Sequence, residues 1–227
     1  GATKIPYLNL TGITDEIDSK AAIQSYIKEL KDFVAKVPDM YAGEESKYQW
    51  DKKSSIYNST DIMTNQMLLS VPATAVLEAL NGSESEQIEQ LYQNSLAMEQ
   101  LMDITYNSKG LSRDAEDAKD KWPGSRINIR YTRMFTGAFM YATGQHIGNE
   151  YGSVGGMTHG RPHTKQADGT MGGGNLYGWG IAHEIGHVTD EGDMVYGETS
   201  NNILSQLVKT FDEKAEARAD YPAIYQK

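Results

Sequence analysis

The run His183-Glu184-Ile185-Gly186-His187, set among apolar Ile181, Ala182, Ile185 and Val188, constrains this chain more than any other feature. In a helix, positions i and i+4 lie one above the other, so both imidazoles can present a nitrogen to one zinc ion about 2 Å away. Glu184 is rotated by about 100° from His183, too far to ligate comfortably but placed to reach a water, which makes it a candidate general base. The segment follows glycines and closes at Gly192, as a helix of this length should. Gly186 inside it costs about 1 kcal/mol relative to alanine, a cost that makes sense if something packs tightly there. The bland alternative is an amphipathic helix with two surface histidines.

A metal held there needs a third ligand. The chain has no cysteine, so His, Asp or Glu must supply it, and thiol catalysis, disulfides and iron–sulfur clusters drop out together. A metzincin pattern would need glycine at position 190 and His or Asp at 193 before a Met-turn. Asp190 occupies the first position, Asp193 could mimic the second, and no methionine follows Met194. Glu191 lies about 12 Å along the helix axis from His183, beyond shared coordination. Glu198 is the better candidate: it sits where Gly197-Glu198-Thr199-Ser200-Asn201-Asn202 opens the next helix, and Gly192 to Gly197 becomes the turn that brings two helices face to face. Asn201 and Asn202 could hold its carboxylate or simply be exposed first-turn residues. Asp190 either orients an imidazole or is solvated.

The rest of the chain reads as one mainly helical α+β domain. Its 227 residues suffice for a continuous core. Apolar spacing predicts a helix over residues 15–36, with Ile17, Ile23, Ile27, Leu30 and Phe33 on one face. A second, interrupted near Pro72, is predicted over 61–80. A third runs from Ser83 to about Thr105, with Ser83 and Glu86 spaced as a capping box. Strands are expected only after Trp122, at Ile127–Tyr131 and Gly137–Ala142, so residues 1–120 form a helical part and 121–227 carry a small mixed sheet and the active-site helices. Glycine fills 12 of the 37 positions from 144 to 180, too many for a packed core, which implies loops and edge strands whose backbone approaches something closely. Helix returns from Asn201 to about Ala219, with Ile203, Leu204, Leu207, Val208 and Phe211 on one side.

Several residues carry two readings. His159-Gly160-Arg161-Pro162-His163 has histidines four apart, but the intervening Gly and Pro deny a helix, which favours a surface loop over a second metal site. His146 reads as a sheet histidine. Trp179 could stack on a sugar or peptide or belong to the core. Tyr196 and Tyr177 are candidates for a second electrophile, with packing the simpler role. The formal net charge of -10 and the absence of a basic stripe argue against nucleic acid, and no apolar run reaches the roughly eighteen residues of a membrane span. The first residues lack a signal-peptide pattern.

Trp179-Gly180-x-x-His183-Glu184-x-Gly186-His187, followed by Gly197-Glu198-x-x-Asn201-Asn202, resembles the signature of the enhancin-like, mucin-targeting zinc metallopeptidases, family sixty of the metallopeptidases. Upstream, Tyr141-Ala142-x-Gly144-x-His146-Ile147-Gly148 and Leu68-Leu69-Ser70-Val71-Pro72-Ala73-x-Ala75-Val76-Leu77 look like that family's pre-catalytic segments. The resemblance implies a glutamate-zincin fold, one Zn2+ held by His183, His187 and Glu198, and Glu184 as catalytic base. It further implies O-glycosylated mucin-like substrates, flanking carbohydrate-binding domains in a larger multidomain protein, and a secreted or cell-surface location. Two other readings remain at this point: an inactive zincin scaffold that binds glycoprotein, and a fragment whose metal only ties two helices together.

Overall fold

A computed structural model describes residues 4–37, 57–133, 138–144, 146–190 and 196–212. The two long amphipathic segments fold as their spacing predicts. Helix α1 (Glu16–Lys36) starts at Asp15, whose carboxylate accepts the amides of Ile17 and Asp18. Its Ile23, Tyr26, Ile27, Leu30 and Phe33 are buried, while Ile17, in the first turn, stands 77% exposed and outside the apolar stripe assigned to it. Helix α3 (Glu84–Ser108) opens with the predicted capping box, Ser83 and Glu86 satisfying each other's backbone amides. The two helices pack together against the sheet.

The sheet departs from the expectation. Residues 60–71 form a hairpin, β2 (Thr60–Met63) and β3 (Met67–Val71), where a helix was predicted; only Ala73–Ala79, after Pro72, is helical, as α2. Together with β1 (Tyr7–Asn9), these place three of six strands before residue 72, so the sheet is not confined to 121–227. The remaining three are β4 (Ile127–Tyr131), β5 (Met140–Thr143) and β6 (His146–Asn149), giving the order β1-β2-β3-β4-β6-β5. Pairing is parallel for β1–β2, β3–β4 and β4–β6 and antiparallel for β2–β3 and β5–β6. Ile62, Leu69, Ile129 and Ile147 fall in one row of the register and are all buried. Burying each contributes about 1.5–3 kcal/mol, and the side-chain period of 2 fixes which face they occupy.

Strand β5 is the sheet's edge, and helix α5 (Gly178–Thr189) packs beside it. Helix α6 (Asn201–Phe211) lies against α5 with Leu204 and Val208 buried, whereas Ile203 faces outward at 72% exposure. Between β6 and α5 the chain makes a short helix α4 (Tyr151–Val154) and the two-stranded β7 (Thr164–Lys165) and β8 (Met171–Gly172). This glycine-rich stretch lies close to its neighbours, as expected. A Cβ on Gly174 would stand 2.5 Å from the His163 backbone nitrogen, and one on Gly160 2.4 Å from the Tyr177 ring.

His163 corrects the surface-loop reading. It is 3% exposed, its Nε2 donates to Asp212 at the end of α6 across 2.7 Å, and its Nδ1 accepts the Gly174 amide. Asp212 also takes the Leu176 amide, and Gln100 of α3 pairs with the His163 backbone in both directions. The loop is thereby tied to α3 and α6 before it enters α5. The competing ligands Glu191 and Asp193, Gly137, and the tail past residue 212 lie outside the described residues.

Candidate metal centre

The entry to α5 is held from below. Tyr177 precedes the helix with φ at +69°, a left-handed conformation that a non-glycine residue keeps only when its surroundings enforce it. Its ring packs over Gly160, and its hydroxyl donates to the Asn94 backbone carbonyl and side-chain oxygen in α3. Burial raises the phenol's pKa well above its ordinary value. Tyr177 is a packing residue.

Gly186 sets the distance between α5 and α6. A Cβ there would lie 2.7 Å from the Cβ and 2.8 Å from the Cα of Asn201. No other residue type permits this approach, which accounts for a glycine inside a helix. The two helices carry the site's side chains at that separation.

His183 and His187 stand one turn apart, ring centroids 4.8 Å from each other. Glu198, in the turn just before α6 rather than in the helix, places Oε2 3.0 Å from His183 Nε2 and 3.3 Å from His187 Nε2. Asn202 resolves one tautomer. Its Nδ2 donates to the Glu198 backbone carbonyl, so its Oδ1 faces His183 Nδ1 at 2.8 Å and must accept from it. The Nδ1 of His183 therefore carries a proton, and in the neutral ring Nε2 turns a lone pair into the site. A carboxylate oxygen facing such lone pairs is unfavourable unless a cation or proton lies between them. Among the described residues, His183, His187 and Glu198 form the one group of such donors able to share an ion, and two nitrogens with one oxygen suit zinc.

Glu184 lies one position on, half-buried, beside a cleft of about 490 Å³ whose walls are β5, the two histidines, Val188 and Glu198. Burial raises its pKa, opposed by the neighbouring imidazoles and by a hydrogen bond from the Ala142 backbone. That bond comes from the strand at the sheet's edge, so β5 presents main-chain groups directly to the cleft.

The other predicted positions divide. Asn202 joins the site as described. Asp190 does not bond an imidazole; it pairs with Lys109, the residue that caps the end of α3. Tyr196 is 83% exposed, so it is not a packing residue. Trp179 is half-buried, and its carbonyl accepts the Ser205 hydroxyl on α6. His146 pairs with Arg130 across neighbouring strands, as a sheet histidine should. Asn201, given no more than a carboxylate-holding role from sequence, is fully buried with its amide nitrogen 2.8 Å from His187 Nε2 and 3.0 Å from His183 Nε2.

Residues 34–218 match the family model of peptidase M60, enhancin and enhancin-like. Among solved structures, the M60 catalytic domain of ZmpC from Clostridium perfringens, in complex with the sialyl T antigen, is 21% identical with a TM-score of 0.61 over 92% of this chain and 33% of that one. The M60 catalytic domain of ZmpB from the same organism, with two CBM51 domains, is 22% identical with a TM-score of 0.62 over 95% of this chain and 18% of that one. A conserved protein of unknown function from Bacillus anthracis is 20% identical with a TM-score of 0.62 over 100% of this chain and 37% of that one. The chain thus spans at most 37% of the length of these structures, and the likeness at such identity is one of fold. No curated protein matches it significantly.

Proposed function

The chain belongs to the enhancin and enhancin-like peptidases of family M60, and from that membership we propose that it is a zinc-dependent endopeptidase of the glutamate-zincin type, acting on mucin-type O-glycosylated proteins. The observation that carries the reading is the Glu198 carboxylate, 3.0 and 3.3 Å from the two imidazole nitrogens. His183, His187 and Glu198 would hold the ion, with Asn202 fixing the tautomer of His183. When bound, zinc supplies Lewis acidity at the scissile carbonyl and acidifies water.

The chain's own groups do the remainder. Glu184, half-buried at the wall of the cleft, takes a proton from the attacking water and returns it to the leaving amine. The edge strand β5 aligns an extended peptide by main-chain pairing, the Ala142 amide hydrogen-bonding the base. The substrate class rests on the relatives: one is complexed with the sialyl T antigen, a glycan, and another carries carbohydrate-binding modules. By the same argument the protein works outside the cell or at its surface, within a longer multidomain chain. No described helix is long and apolar enough to cross a membrane.

The test compares the wild-type chain with Glu184→Gln on glycosylated and deglycosylated mucin-like peptides, products being read by mass spectrometry. The wild type with added zinc should cleave the glycosylated peptide, and the variant should lose at least about 10²-fold in rate while still binding zinc. Equal cleavage by the variant would refute the role of Glu184. Binding of the glycopeptide without turnover by the wild type would favour a non-catalytic scaffold instead.

A further inference from the structure

Strand β5 turns only alternate main-chain groups outward. The Glu150 amide donates to the Phe139 carbonyl across 3.0 Å, in the register that sets Met140 opposite Asn149 and Ala142 opposite Ile147. In an antiparallel pair, residues that bond the partner strand alternate with residues that do not. Phe139, Tyr141 and Thr143 therefore direct their main-chain groups to β6, and Met140 and Ala142 direct theirs to the outward edge. The Ala142 amide does bond Glu184 there. A peptide paired along this edge places one residue opposite Ala142, beside the base, and the residue two positions on opposite Met140.

Directly opposite residues share a face of the sheet, with Cβ atoms about 4.5–5.5 Å apart. The substrate residue opposite Met140 thus aims its side chain where Met140 aims its own, toward α5: a Cβ on Gly180 would lie 3.6 Å from the Met140 Sδ and Cε and from the Phe139 Cε2. Gly180 precedes Glu184 by one turn, about 6 Å along the helix axis. Its missing side chain lets thioether and ring settle on the helix, Met140 half-buried in the cleft wall and Phe139 58% exposed. A thioether adapts to irregular apolar shapes, and an aromatic ring in water gains by being covered.

We propose that Met140 and Phe139, seated over Gly180, form a specificity subsite for an apolar side chain of the substrate peptide, two residues from the one held opposite Ala142. The inference rests on the peptidase reading above. The occupant is a peptide side chain rather than a sugar, because pairing with β5 delivers a Cβ to this spot and the two side chains offer no strong donor or acceptor to a hydroxyl.

The test incubates the chain with zinc and a pool of O-glycosylated mucin-like peptides randomised on both sides of the glycosylated residue, products being sequenced by mass spectrometry. Wild type should enrich Leu, Ile, Met or Phe over Asp, Glu and Lys about tenfold or more at one position a fixed distance from the cut. Met140→Lys should turn that same position toward Asp and Glu, since opposite charges on facing strand residues attract, while zinc affinity stays at the wild-type value. A residue that merely supports the fold would lower all rates together and leave the preference alone. Should Met140→Lys fail to fold, Phe139→Ala, at an exposed position, should cut the apolar enrichment about two- to tenfold, the scale of one aromatic contact. Wild-type products without an apolar preference at any position overturn the proposal, as does a preference that both variants retain. Absence of cleavage across the whole pool is a distinct failure: it removes the peptidase reading, and this inference falls with it.

Discussion

Gly186→Ala tests whether the α5–α6 separation builds the site. A Cβ at 186 would meet Asn201 at 2.7, 2.8 and 2.9 Å, the three atoms being Cβ, Cα and the backbone oxygen. Carbon atoms in contact prefer about 3.5–4.0 Å, so the helices must part by about 1 Å. Overpacking of this kind costs about 1–3 kcal/mol, and the helix preference of alanine returns about 1 kcal/mol. The net loss should be up to about 2 kcal/mol, lowering Tm by up to roughly 8 °C at this chain length. Because Glu198 and Asn202 travel with α6 while His183 and His187 stay on α5, the 3.0 Å and 2.8 Å contacts to His183 should open. Zinc affinity should then fall at least about tenfold. Gly180→Ala is the internal control: in the same helix, its Cβ would find Met140 and Phe139 at 3.6 Å, an ordinary contact. It should gain up to about 1 kcal/mol from helix propensity and leave zinc binding intact. Thermal unfolding of the metal-free proteins and a zinc titration decide the matter. If the two alanines behave alike, close approach at Gly186 does not position the ligands.

Asn202→Ala should weaken zinc binding about 10–100-fold in chelator competition, because His183 loses the acceptor that fixes its proton on Nδ1; an unchanged affinity would show that the tautomer is set elsewhere. His146 has its pKa lowered below 6.5 by desolvation and then by Arg130. The unfolded state therefore binds more protons than the folded one near that pH. This contribution to stability is present above about 6.5 and is lost as pH falls toward the folded value. His146→Gln should flatten the dependence of Tm on pH between 7 and 5, and a slope equal to wild type would contradict the assignment.

The parts of the structure legible in the sequence are those fixed by local spacing. The capping box at Ser83 and Glu86, the buried stripe of α1 and the two histidines one turn apart depend on residues within a few positions of each other. The hairpin of β2 and β3 is not legible in the sequence for a physical reason. Its alternation of buried and half-buried residues has the strand period, but the connection, Thr64-Asn65-Gln66, lacks the Gly or Pro that marks a turn. It closes instead through the Thr64 amide on the Met67 carbonyl and the Asn65 amide on Glu99, a residue of α3 distant in sequence. Nothing local encodes that partner. The burial of His163 failed to show in the same way, since it depends on Asp212 at the end of α6.

Glu198 and Asn201 bring the two cases together at one site. Glu198 could be chosen from sequence because few residues satisfy the demand for a carboxylate at a distance a helical hairpin can span. Asn201 could not, because its place at the site follows from a contact: the glycine at 186 lets its backbone in, and only then does its carboxamide reach the imidazoles. The glycine was the visible half of that arrangement. Its cost inside a helix signalled a close neighbour without saying which one. A glycine at an otherwise helix-favouring position beside a ligand pair therefore points to the packed residue opposite as the one to test for a role in shaping the site.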